Sequence, residues 1–281
     1  VRVAALLALL SSLSWGVADF LGGLAARRAG TAQVLAVSYP AGAISITVLA
    51  IFVVPGTFTT ELIGISILAG SAGVTAVSLL YAAMVRGQMG VVAPITAVMS
   101  CAVPVLVGLF RGDQPSAYAF FGMGFAIIAV VLVSRESAHH HGKTPILAIG
   151  FSIASGCAGG VYLTVIGLAP VESGVWVAAL GRWFSTIIMI TFVLVVVRSF
   201  NKSTFPWKLA IITGVLDSTA NCLFQLASQR GLFSVVAILG SLYPVATVLL
   251  ARVVIKERMN RVQSVGVVLA LGAAVLLAFN S

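Results

Sequence analysis

Charge is scarce in this chain. Lys, Arg, Asp and Glu make up 8% of its 281 residues, against about 25% in soluble domains. So few charges cannot coat a water-solvated surface, which excludes an ordinary soluble globule. Acidic residues are the rarer sign, seven against 16 Lys and Arg, for a formal net charge of +9. The surplus does not indicate nucleic acid. No basic stripe interleaved with aromatics is present, and the cations fall mainly in short gaps between apolar runs. The three cysteines, Cys101, Cys157 and Cys222, each lie inside an apolar run. They form neither a disulfide framework nor a CxxC metal site, and read as ordinary buried small residues. The three histidines are consecutive, His139-His140-His141, and lack the i, i+4 spacing of a metal-binding pair. No phosphate loop, zinc-protease motif, nucleophile elbow or ATPase motif occurs. No metal or cofactor is therefore expected, and any driving force must come from a gradient.

Apolar length is abundant. Hydrophobic residues are 60% of the chain and the mean hydropathy is +1.15. A bilayer needs about 20 consecutive apolar residues per helix. The runs predict an all-α polytopic membrane protein with ten spans, at roughly 3–24, 33–54, 62–84, 91–110, 117–134, 145–166, 174–197, 207–228, 234–254 and 262–279. Arg2 followed by an apolar run resembles a signal peptide, but the run continues to about Leu24 and is read as a retained helix.

Loop charge predicts orientation. Arg27, Arg28, Arg86, Arg135, Lys143, Arg198, Lys202, Lys208, Arg252, Lys256, Arg258 and Arg261 fall after odd-numbered spans. Arg2, Arg111 and Arg230 fall on the other side. The bias of 12 to 3 puts the odd-numbered loops in the cytoplasm of a cell inner (plasma) membrane, with both termini outside.

The chain also repeats itself. "VRGQMGVVA" at 85–93 and "QRGLFSVVA" at 229–237 match at a separation of 144 residues. Extended without gaps over 70–132 and 214–276, the match holds 17 identities in 63 positions, Arg86/Arg230 and Gly122/Gly266 among them. The same offset maps Ser11 to Ser155 and Gly16 to Gly160. The expected units are 1–143 and 144–281, five helices each, embedded in the membrane as one body. An odd number of crossings makes the second copy enter from the opposite side. Inverted repeats with a midplane site at their interface are a transporter architecture.

The five-plus-five helices, the "WG" of helix 1 and the acidic positions Asp113 and Glu257 after helices 4 and 9 together resemble the EamA family. So do the glycine-rich helices "GMGFAIIAVVLV" and "GVVLALGAAVLL". That family belongs to the drug/metabolite transporter superfamily. The resemblance spans the whole chain, and "WGVADFLGGLAARR" is similar to a bacterial variant of it. It implies export or exchange of small metabolites, often amino acids, commonly coupled to ion gradients. It also implies cytoplasmic termini, contrary to the charge bias, and the charge bias is followed here.

Three charged residues fall well inside spans: Asp19, Arg182 and Asp217. Each costs roughly 2.5–3.5 kcal/mol near a helix centre on insertion scales, so each should face the bundle interior or water and have a partner. Ser11, Trp15 and Asp19 share one helical face by i, i+4, i+8 spacing. Asp19 is either an interfacial partner of Arg27 or Arg28, a protonatable group in a vestibule, or a helix-packing acceptor. Asp217, Asn221 and Gln225 form a second stripe of the same spacing, which either bonds to neighbouring helices or lines a wet cavity. Arg182 either pairs with Asp217 or holds an anionic group such as a carboxylate. Asp19 aligns with Leu163 and Asp217 with Gly73 under the offset, so the halves are specialised differently. Tyr81, Tyr162, Tyr243 and Trp183 are further cavity candidates, for which core placement is the default. Pro40, Pro94, Pro104 and Pro244 lie within spans and mark hinges or static kinks.

The expected function is a secondary active transporter of a small metabolite, such as an amino acid or related zwitterion, working by alternating access around a central cavity. Arg182, Asp217, Asn221, Gln225, Trp15, Tyr81 and Tyr243 are the expected substrate-binding set, with Asp19 and Asp217 as proton-coupling groups. An uncoupled facilitator or small-drug exporter of the same fold and a non-transporting sensor or scaffold are the rivals. An enzyme is not expected, because no span carries His or Glu.

Overall fold

The computed structural model describes residues 2–133, 144–197, 203–256 and 260–280. Among them the chain is helical and contains no strand. A bilayer core offers backbone groups no partner, and a helix satisfies them within one segment. The helices are α1 (Arg2–Ala29), α2 (Thr31–Phe52), α3 (Leu62–Arg86), α4 (Met89–Phe110), α5 (Ala117–Val133) and α6 (Ile146–Gly167). They continue with α7 (Trp176–Phe192), α8 (Trp207–Ser228), α9 (Phe233–Gly240), α10 (Tyr243–Val254) and α11 (Arg261–Asn280). A π-helical stretch, Val193–Val197, prolongs α7.

Eight described spans are long and apolar enough to cross a membrane, with α9 and α10 together forming one of them; a shorter apolar stretch, Phe120–Ala129, lies in α5. Large apolar side chains are turned outward, among them Phe110, Ile146 and Phe52, at 89%, 88% and 78% exposure. Such a surface would be an aggregation liability in water and is the expected exterior in lipid. The chain is a multi-pass membrane protein.

Two expectations change in detail. The ninth span is broken at Ser241-Leu242, just before Tyr243, with Pro244 in the first turn of α10. Proline fits a helix start because the missing N–H is one that has no partner there anyway. Cys157 is exposed, unlike Cys101 and Cys222, because it sits on the outward side of α6. The histidine run, Glu257 and the loop cations Arg135, Lys143, Arg198, Lys202 and Arg258 lie outside the described residues.

Helix pairing follows the repeat. α1 packs along α8, and α3 along α6; α2 packs on α8, and α7 on α3; α5 and α11 pair with each other. Exchanging the two halves turns each contact into its mate. Hydrogen bonds repeat in the same way. The Ser11 hydroxyl donates to the Ala220 carbonyl at 2.7 Å, and Ser155 donates to Ala76, again at 2.7 Å. Arg86 donates to the carbonyl four residues back at 2.8 Å, as Arg230 does at 2.9 Å. Both members of each pair are separated by the 144-residue offset.

Small residues set these approaches. A side chain on Gly214 would run into the Ser38 backbone, and one on Gly16 into the backbone of Tyr243. Small residues let membrane helices close on each other where lipid supplies no hydrophobic drive. α9 begins under Asp113, whose carboxylate accepts the Ser234 N–H at 2.7 Å. A carboxylate at a helix N-terminus satisfies a free donor and complements the dipole.

Candidate functional site

The helices from both halves enclose a central cavity of about 90 Å³. A single buried water needs roughly 10–15 Å³ by the same measure, so the space holds several waters or one small molecule. Its polar wall comes from Asp19 and Trp15 on α1, Thr96 and Ser100 on α4, Arg182 and Ser185 on α7, and Asp217 and Asn221 on α8. Gly240, Ser241 and Tyr243 bring the break between α9 and α10 to the same space. A discontinuous helix at the binding level is the membrane form of irregular backbone that lines a cavity.

Arg182 and Asp217 form an ion pair across α7 and α8, with side chains 9% and 15% exposed. The Asn221 amide donates to the Asp217 carbonyl at 2.7 Å and to its carboxylate at 3.2 Å. The Arg182 guanidinium lies 4.8 Å from the centroid of the Tyr39 ring, within cation–π range. Arg182 is thus already provided with an anion, an aromatic face and a neighbouring amide. Its carboxylate partner belongs to the protein.

Asp19 is different. It lines the cavity and is 7% exposed, yet it has no hydrogen-bond or ion partner among the described residues. The interfacial pairing with Arg27 or Arg28 is not formed. Arg27 turns instead to the C-terminal end of α3, donating to the Met84 and Gly87 carbonyls, both at 3.1 Å. Arg28 is exposed. An isolated carboxylate removed from water is strongly penalised unless something positive meets it.

Two residues of the expected set do not reach the cavity wall. Gln225 is fully buried and donates to the Gly174 carbonyl at 2.8 Å, where Gln229 also donates at 3.0 Å. Tyr81 is buried against Gly22 of α1. They are repeat mates at the 144-residue offset. In each half the third helix lines the cavity, at Gly73, Ala76, Val77 and Leu80 in α3 and at Asp217 and Asn221 in α8, while Tyr81 and Gln225 are not on the wall. A stripe drawn by helical spacing runs on; the wall does not. Trp183, 40% exposed, donates to Thr47 at 2.9 Å and does not line the cavity, whereas Tyr162 does.

The wall residues not singled out from sequence are mostly small: Thr96, Ser100, Ser185 and Ser241. The repeat held a signal for others. Applying the offset to Asp19, Asp217 and Asn221 gives Leu163, Gly73 and Val77, and all three line the cavity.

At one end of the bundle two connections are bonded to each other. In the α2–α3 connection, Thr57 donates to the Glu172 carbonyl through its N–H at 2.7 Å and its hydroxyl at 3.1 Å. Phe58 meets Trp176 edge-on at 5.8 Å. The Gly174 carbonyl held by Gln225 and Gln229 belongs to the same cluster.

The EamA-like transporter family profile matches the chain twice, over residues 2–135 and 146–279. No curated protein matches it. Among solved structures, one described only as "Crystal structure of protein" superposes with a TM-score of 0.73 at 16% identity. The match covers 97% of this chain and 95% of the other, which shows a shared fold.

Proposed function

We infer the function from the premise that this chain belongs to the EamA-like transporter family, a family of membrane transporters. We propose a secondary active transporter, an exporter or exchanger of a small metabolite in the cell inner membrane. It has ten spans in two inverted units, 1–143 and 144–281, with termini outside and the odd-numbered loops in the cytoplasm. The observation that carries the reading is the Asp19 carboxylate, without a partner among the described residues, on the wall of a cavity built by both halves. A fixed structural charge in a membrane is expected to be paired, as Asp217 is with Arg182. A carboxylate that waits for a partner suits a proton-coupling group. Asp217, held by Arg182 and Asn221, serves to hold the cavity's architecture.

Alternating access follows from the repeat. The bonded connections around Thr57 and Gly174 would form the seal at one end. Each half has a mate in the other conformation's role, so the seal can form at the opposite end when the halves exchange roles. The test is the sidedness of the cavity. Gly159 lines it, and a Cβ there would meet Ser100 no closer than ordinary van der Waals contact. Gly159→Cys, in a background with the three native cysteines replaced by alanine, is expected to react with a membrane-impermeant maleimide from one side at acidic pH and from the other at alkaline pH. Reaction from one side at every pH, with or without an imposed gradient, would contradict alternating access.

A further inference from the structure

We propose that the cavity selects a small ammonium cation, which takes the place of the proton on Asp19. The inference rests on the transport reading of this cavity and names what that site accepts.

Three charged side chains line the cavity: Asp19, Arg182 and Asp217. Arg182 and Asp217 cancel as a bonded pair, and the Asn221 amide supports the carboxylate side of it. What remains is one negative charge, on Asp19. A ligand carboxylate would have to displace Asp217 from Arg182, leaving two carboxylates for one guanidinium. An ammonium group needs no such exchange. It meets Asp19 directly and brings the described cavity charge to zero. The same is true of a proton, so the two compete for one carboxylate.

The rest of the wall agrees. Trp15, Tyr162 and Tyr243 line the space, and cations are attracted to aromatic rings. The remaining wall is Ala, Val, Leu and Gly interspersed with Ser and Thr hydroxyls, suited to a short alkyl body. The volume of about 90 Å³ fits roughly six water-sized groups, which limits the ligand to a small amine. Around Asp19, the elements packed on α1 contribute Asp217 from α8, Tyr243 from α10 and Tyr81 from α3 as titratable neighbours. α2 contributes Tyr39, which is turned to Arg182, and α9 contributes none. None of these is a cation. Among the described residues Arg182 is the one cation on the wall, and it is bound to Asp217.

No bond to carbon changes. One proton leaves the Asp19 carboxyl for water as the ammonium arrives, so the exchange is one positive charge for another. The test uses the full chain in detergent, in weakly buffered solution, titrated with n-propylammonium, with alanine and propionate as comparisons. The expected result is saturable propylammonium binding with about one proton released per protein. Apparent affinity should fall tenfold for each pH unit lowered while Asp19 carries its proton. Asp19→Asn should abolish both the binding and the proton release, and Asp19→Glu should restore proton-linked binding. Propylammonium binding that ignores pH or survives in Asp19→Asn overturns the proposal. So does alanine binding without propylammonium binding, which leaves the transport reading intact and moves recognition to Arg182. If the cavity shows no alternation of sidedness in the Gly159→Cys labelling, the transport reading falls independently of which ligand binds.

Discussion

Asp19→Asn is expected to abolish proton-linked flux in liposomes, down to the level of protein-free vesicles, while the protein remains at least as stable as before. The two halves of that expectation have one cause. Asp19 makes no hydrogen bond or ion pair among the described residues, so its replacement removes no structural contact. It does remove a charge that costs roughly 2.5–3.5 kcal/mol to place in a membrane helix. Thermal unfolding in detergent should therefore be unchanged or shifted upward. Transport should suffer because an amide can neither carry a proton nor offer a cation a counter-charge. The near-isosteric side chain keeps the packing beside Trp15 and Tyr243. A variant that loses stability and flux together would mean that Asp19 holds the bundle, not the cargo. Retention of proton-linked flux would remove Asp19 from the mechanism.

Asp217→Asn is expected to behave in the opposite way, destabilising the fold by about 3–5 kcal/mol, the range found when one partner of a buried ion pair is removed. The loss arises mainly because Arg182 stays buried on the cavity wall without its anion. Arg182→Gln should cost a comparable amount, since it strands Asp217. The double variant should recover most of the loss, because neither charge is then left alone. Thermal or denaturant unfolding of the four proteins forms a double-mutant cycle whose interaction energy isolates the pair. Additive losses would show that Arg182 and Asp217 act separately and would return Arg182 to the role of an open anion site. An open Arg182 would leave the cavity without the preference for an ammonium group that its pairing with Asp217 creates.

Sequence spacing identified Asp19, Arg182, Asp217 and Asn221 for a sound reason: charged and amide groups are costly in hydrocarbon, so they must turn inward. Helical period then placed Asp217 and Asn221 on one face, where the structure has them. Period carried no information about where a cavity ends. Gln225 continues the stripe of Asp217 and Asn221, and Tyr81 was a cavity candidate by residue type, but neither lines the wall: Gly174 holds Gln225, and Tyr81 lies against Gly22. The pairing of Asp19 was also illegible. Arg27 and Arg28 are near in sequence, but α1 continues to Ala29, and Arg27 leaves on the side facing the end of α3. Pro244 marked a hinge or kink in the ninth span, but the continuous apolar run gave no sign of a full break, because Ser241 and Leu242 interrupt the backbone without interrupting the hydropathy. The 144-residue repeat was legible in the sequence, and it reached further than the residue motifs, down to the matched serine bonds of Ser11 and Ser155.

The central claim is that movement through the cavity is coupled to a proton, and its most direct test is thermodynamic. Wild-type protein in liposomes, with membrane potential clamped at zero, would be given opposing gradients of pH and of a transported solute that has no membrane-permeant neutral form. The gradient of solute at which net flux vanishes would then be read at several pH differences. With one proton exchanged per solute, each pH unit should hold a tenfold solute ratio in balance, the equivalent of about 1.36 kcal/mol. A balance point fixed at equal solute concentrations, whatever the pH difference, would mean an uncoupled facilitator and contradict the role assigned to Asp19.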